Sequence, residues 1–204
     1  MGLKLESKDY RGFTLLELLI AVTIFSIVSV AIYSSFSVGI RAWRKAEESY
    51  KIRQEARHAL EDIGHELRTA VNFTPMPFEG SSDCVSFSRV LKNSDKYSEG
   101  IFKITYTFDA EAKSLYYILQ TYQESVQEES GIKSILTSGI SGFQLKYAYL
   151  DGEEVIWRDD WQSDEIDVPF GVKVSLFYPS QSEGQDIEFS ETILIPTGAL
   201  KEGS

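Results

Sequence analysis

The chain has 204 residues, enough for a terminal segment and one domain with its own core. Its net charge is −11, and residues 71–204 alone carry ten basic and twenty-two acidic side chains. This acidic part argues against nucleic acid as a partner, because affinity for nucleic acid comes from neutralising phosphates. The single cysteine, Cys84, excludes an internal disulfide.

The N-terminal forty residues have the composition of a membrane anchor. Lys4, Lys8 and Arg11 come first, and then no Lys or Arg occurs between Phe13 and Ile40. These 28 residues measure about 42 Å as a helix, whereas a bilayer core of about 30 Å needs about 20 residues. The basic residues keep the N-terminus in the cytoplasm, so the chain after about residue 41 lies across the membrane.

One carboxylate, Glu17, interrupts this apolar run. A charge inside a span is costly and normally has a partner, unless it reaches the interface from the helix end. An ordinary secretory signal places its small-residue cleavage site after the apolar region, but here Gly12 lies before it. A cut between Gly12 and Phe13 would create an α-amine one helical turn from Glu17. A small axial shift would then pair one chain's Glu17 with its neighbour's amine.

The stretch Gly12-Phe13-Thr14-Leu15-Leu16-Glu17, between a basic leader and an apolar helix, resembles the type IV prepilin signal. The resemblance implies that a prepilin peptidase cuts after Gly12 and N-methylates Phe13. It also implies that the helix stays as the anchor and that Glu17 pairs with a neighbour's amine during assembly. It covers about the first 40 residues.

Beyond the anchor, the sequence predicts that the same helix continues with one apolar face, up to a stop before Pro75 and Pro77. One small sheet cannot cover this whole length, so we expect its first part to meet a neighbour's helix. The apolar face consists of Ala56, Ala59, Leu60, Ile63, Leu67 and Ala70. The part of the helix that we expect to meet a neighbour contains Ile40, Trp43, Ala46 and Tyr50.

After Pro77 the pattern changes to strands at 84–91, 101–109, 114–122, 140–150, 171–178 and 187–195. Hairpins are predicted at 109–113 and at Asp151-Gly152. The predicted fold is α+β and pilin-like, with a long N-terminal helix packed on antiparallel β-sheet. Its predicted segments are a leader (1–12), a transmembrane assembly helix (13–40), an amphipathic helix half (41–73) and a periplasmic β-rich domain (74–204).

Within the family, the large strand-rich body, the absence of a cysteine pair and the ending 170–198 are most similar to the J-type minor pseudopilin of type II secretion. The resemblance implies a single-pass inner-membrane protein at the pseudopilus tip that supports export of folded proteins. Its partners would be I- and K-type minor pseudopilins, the major pseudopilin, the prepilin peptidase and inner-membrane lipid. A minor pilin of a type IV or DNA-uptake pilus and an I-type pseudopilin remain alternatives.

Neither an active site nor a cofactor is predicted. His58 and His65 share a helix face, but they lack the spacing of a metal site. The acidic stretch 159–167 lacks a calcium-loop pattern and is interpreted as solvated, and Trp157 and Trp161 beside it as core or interface aromatics. The alternative of another class, a membrane-anchored enzyme or ligand-binding domain with a pilin-type signal, would require a pocket with convergent titratable groups.

Overall fold

The computed structural model describes residues 14–91, 99–152, 154–162, 168–180 and 184–199. Its first element is a single helix, α1 (Leu15–Arg68). The chain divides into two compact units, residues 1–50 and 51–204, and α1 contributes residues to both. The described part of the first unit consists of α1 alone, preceded by Thr14, and almost all of its side chains are exposed.

In the second unit, the end of α1 packs into the core through one face. The apolar positions recur every three or four residues, as the sequence predicts, and the buried ones are Ala56, Ala59, Leu60, Ile63 and Leu67. The prediction was wrong at the helix end, which lies at Arg68 rather than near 73. Ala70 is buried as expected, but it belongs to a short strand, because Ala70 and Val71 pair with Arg89 and Ser88.

The strands form two antiparallel sheets rather than the one that the sequence suggested. The first consists of β1 (Ala70–Val71), β2 (Glu79–Gly80), β3 (Cys84–Leu91), β4 (Gly100–Asp109), β5 (Ser114–Thr121) and β6 (Ile132–Ser138). Its strand order is β1-β3-β4-β5-β6, with β2 also paired to β3. A short helix, α2 (Tyr122–Val126), follows β5 and begins with a capping box between Thr121 and Glu124.

The second sheet consists of β7 (Gly142–Asp151), β8 (Glu154–Arg158), β9 (Gly171–Tyr178) and β10 (Ile187–Leu194), and a short helix, α3 (Pro196–Ala199), follows. Its strand order is β10-β9-β7-β8. The hairpin between β7 and β8 is confirmed: Asp151 pairs with Glu154, and Gly152 has a φ of 64°. The hairpin between β4 and β5 is confirmed as well, since Asp109 pairs with Ser114.

The two sheets and the end of α1 enclose one hydrophobic core. Main-chain hydrogen bonds join Gly80 of β2 to Trp161, which follows β8, with N···O distances of 2.9 and 2.8 Å. Gly80 has no room for a larger residue, because a Cβ there would overlap the ring of Tyr147. The Tyr147 hydroxyl also donates to the Ser81 carbonyl at 2.8 Å. A long helix packed against antiparallel sheets is the pilin-like α+β fold, as predicted.

Candidate assembly helix

The N-terminal part of α1 is long and apolar enough to cross a membrane. Its large apolar side chains from Leu15 to Ile40 are exposed, unlike those of a core helix, which would be buried inside the protein. Surface of this extent needs lipid or another apolar partner, since soluble monomers rarely expose continuous apolar patches of more than a few hundred Å².

The helix begins with a local cap. The Thr14 hydroxyl accepts a hydrogen bond from the Glu17 backbone N–H at 3.2 Å, and the Thr14 carbonyl accepts one from the Leu18 N–H at 3.2 Å. Thr14 thereby satisfies N–H groups that a helix start leaves without intrahelical partners. The Glu17 side chain is exposed. Gly12 and Phe13, where cleavage and methylation are predicted, lie outside the described residues, as does the rest of the leader.

The four predicted interface residues, Ile40, Trp43, Ala46 and Tyr50, are all exposed. Phe36, which the sequence analysis missed, lies seven residues before Trp43, just as Tyr50 lies seven after it. These three aromatic side chains are 70%, 74% and 70% exposed. Seven residues are nearly two helical turns, so the three side chains share one face.

With Ile40, these aromatics form a stripe that is interrupted between Trp43 and Tyr50 by Glu47. We call this stripe the aromatic seam (Phe36, Ile40, Trp43, Tyr50). A shallow groove continues the apolar surface toward the N-terminus along Ser29, Ile32, Tyr33, Phe36, Ser37 and Ile40. Large rigid aromatics at heptad spacing suit packing against another helix. The seven-residue spacing from Trp43 could have identified Phe36 from the sequence.

The structure also locates the histidines, the acidic stretch and the tryptophans for which no catalytic or binding site was predicted. His58 and His65 are exposed on α1, and His58 Nδ1 lies 3.8 Å from a Glu61 oxygen. Among the described residues, no three His, Cys, Asp or Glu side chains are grouped as a metal ion would require. Of the acidic stretch, residues 163–167 lie outside the described part, and Asp159 is 3.6 Å from Lys146 Nζ. Trp161 is buried in the core, whereas Trp157 is exposed.

One cleft in the folded body has a volume of about 580 Å³. It is lined by Glu79, Gly80, Ser81, Cys84, Ser86, Trp161 and Gln162. Its one thiol is poorly suited to nucleophilic attack, because burial raises the pKa of Cys84 and keeps the sulfur protonated at neutral pH. The hydroxyl of Ser81 donates to Asp83 Oδ1 at 2.8 Å.

A known family model matches the N-terminal part of the chain. The model of the prokaryotic N-terminal methylation motif matches residues 7–33, a segment that contains Gly12, Phe13 and Glu17. The chain carries the N-terminal methylation motif of type IV pilins and pseudopilins. No curated protein matches the chain.

The matched motif indicates the role of the apolar part of α1. Together, the motif and the exposed apolar helix indicate a membrane-anchored, pilin-like protein. The motif also implies processing by a prepilin peptidase and assembly with other pilin-like subunits. Proteins of this kind are typically structural rather than enzymatic. The match covers residues 7–33 of the chain and none of the β-rich body.

Proposed function

We propose that the chain is a minor pseudopilin of the type II secretion system, most similar to the J subunit. It would form part of the pseudopilus tip and support export of folded proteins across the outer membrane. The observation that carries this proposal is the pairing of a methylation-motif anchor with a large body of two sheets on the same helix. The antiparallel pair β9–β10 followed by α3 also fits the J-type ending.

In this proposal, a prepilin peptidase removes residues 1–12 by cutting after Gly12 and methylates the new N-terminus at Phe13. Residues 13–40 anchor the subunit in the inner membrane, and the β-rich body lies in the periplasm. Glu17 neutralises the α-amine of a neighbouring subunit within the membrane. An uncompensated charge in this low-dielectric environment is costly, so the pair favours subunits that lie side by side.

The aromatic seam supplies the second contact. The seam is exposed in the single chain, and burying three aromatic side chains would contribute several kcal/mol at about 1.5–3 kcal/mol for a large apolar side chain. We infer that I- and K-type minor pseudopilins and the major pseudopilin provide the helices that cover it. This contact needs no catalytic group, consistent with a structural role.

Mass spectrometry and cross-linking test the proposal in a strain that carries a type II system. The mature chain should begin at N-methylated Phe13. In a Cys84→Ser background, Trp43→Cys or Tyr50→Cys should cross-link to minor pseudopilins. The matched control is Val38→Cys, because Val38 is 56% exposed but lies about 140° around the helix from Trp43. A mature chain that keeps Lys4 would refute the predicted removal of residues 1–12. Cross-links only to pilus subunits would favour a minor pilin instead.

A further inference from the structure

The helix segment that follows the apolar run has a second face, opposite the aromatic seam. Arg41, Arg44 and Lys45 are spaced at i, i+3 and i+4, and all three are exposed. At about 100° per residue they occupy an arc of about 100°, centred about 150° from Trp43. We call this arc the basic face. Glu48 lies within the same arc, so the face carries a net charge of +2.

The basic face lies at a defined distance from the start of the anchor. From Phe13 to Arg41 the helix rises by about 42 Å, which is much longer than the hydrocarbon core but equal to the bilayer with its headgroups, about 40–45 Å. If the N-terminus lies among the headgroups of one leaflet, Arg41 reaches those of the other. Arg44 and Lys45 follow at about 46 and 48 Å, just beyond this layer. Their long side chains can reach back to the headgroups, because side chains on a helix tilt toward its N-terminus.

Membrane orientation does not account for these cations. Lys and Arg beside a span favour the cytoplasmic side, so three of them on the far side oppose the orientation set by Lys4, Lys8 and Arg11. Anionic phospholipid gives a physical reason for their position, since each Lys or Arg near an anionic surface contributes about 1 kcal/mol. Trp43 fits the same depth, because Trp is enriched where the bilayer meets water.

We propose that the basic face binds the headgroups of anionic phospholipids, such as phosphatidylglycerol, in the far leaflet of the membrane. The aromatic seam lies on the opposite side of the helix from the basic face and remains available for a neighbouring helix. The two faces therefore allow one anchored subunit to hold lipid on one side and a partner on the other. This inference rests on the membrane anchor and not on the type II secretion assignment.

Lipid selectivity can be measured on the full chain in phosphatidylcholine vesicles with spin-labelled phospholipids. The motionally restricted fraction reports which lipids contact the helix. We expect spin-labelled phosphatidylglycerol to associate two- to fivefold more strongly than spin-labelled phosphatidylcholine, with the ratio falling toward one in 0.5 M salt. In the variant Arg41→Gln/Arg44→Gln/Lys45→Gln the ratio should be close to one.

The matched control is Lys51→Gln/Arg53→Gln/Arg57→Gln, which removes the same charge from the following part of α1. This variant should keep at least two thirds of the wild-type preference for phosphatidylglycerol over phosphatidylcholine. Restricted phosphatidylcholine in every variant shows that the anchor is inserted, so loss of the anchor is distinguished from loss of selectivity. A wild-type ratio of one, or a ratio that the first triple variant leaves unchanged, would overturn the proposal. So would a triple variant that keeps its lipid ratio but loses cross-links to partner subunits, which would assign these cations to a neighbour's carboxylates.

Discussion

The ion pair between Arg89 on β3 and Glu66 on α1 ties the end of the anchor helix to the first sheet. Arg89 Nη1 donates to Glu66 Oε2, and the two side chains are only 15% and 18% exposed. Arg89 Nε is buried and has no hydrogen-bond partner within the described part of the chain. The guanidinium is therefore largely removed from water and depends on Glu66 for compensation.

Replacing Arg89 by Met leaves the Glu66 carboxylate without its cation beside the buried ring of Tyr106. Removing one partner of a fully buried pair costs about 3–5 kcal/mol, and the remaining exposure of this pair reduces the expected cost to about 2–4 kcal/mol. At about 2–4 °C per kcal/mol for a chain of this size, Tm should fall by about 4–16 °C. The double variant Arg89→Met/Glu66→Met should recover most of this loss, because apolar side chains of similar volume remove both charges.

The assay is thermal and urea unfolding of the full chain in mild detergent, followed by near-ultraviolet circular dichroism, which reports the packing of the body's aromatics. Lys51→Met is the control, because it breaks an exposed pair with Glu55 in which the side chains are 77% and 45% exposed. We expect no resolvable change in Tm from that control. A loss below 1 kcal/mol for Arg89→Met, or a double variant no more stable than the single one, would refute the reasoning.

Three further predictions concern the anchor, the body and its buried tyrosines. Glu17→Val should be cleaved and inserted normally, because it removes a charge from lipid, but it should co-purify poorly with partner subunits; full incorporation and normal secretion would exclude an assembly role. A fragment that begins at Arg41 should be soluble, folded and without enzymatic activity, as circular dichroism and substrate screens can check; a fragment that needs the anchor to fold would contradict this. Burial raises the pKa of Tyr106 and of Tyr147 well above the ordinary value of about 10, so their contribution to stability is complete below pH 10 and is lost as the pH rises beyond it. Absorbance at 295 nm should show some tyrosines ionising near pH 10 and these two only with loss of the near-ultraviolet signal; ionisation of all tyrosines in one step near pH 10 with the fold intact would contradict the burial.

The sequence by itself determined the features that depend on local periodicity. The apolar run, the three- and four-residue spacing on α1 and the alternation in the strands each reflect the geometry of one element. The strands at 84–91 and 171–178 were therefore predicted with their observed bounds. The motif around Gly12 is also local, so the prediction of its residues needed no tertiary information.

Some local signals were present but not used. Thr121 and Glu124 have the spacing of a capping box, and they begin α2. The strand β6 (Ile132–Ser138) was missed, since most of its residues are exposed at a sheet edge and its alternation is weak. The spacing of Arg41, Arg44 and Lys45 was equally visible in the sequence. It indicates a lipid contact only when the length of the helix is compared with the thickness of a bilayer.

Only the tertiary structure decided which distant residues meet. Gly80 and Trp161, for example, pair although they are 81 positions apart in the chain. Trp161 is buried whereas Trp157 is exposed, although the two tryptophans are four residues apart. Helix α1 ends at Arg68 because Ala70 and Val71 pair with β3. No local pattern encodes such pairings, since they arise from the free energy of burying several elements together rather than from the preferences of any one of them.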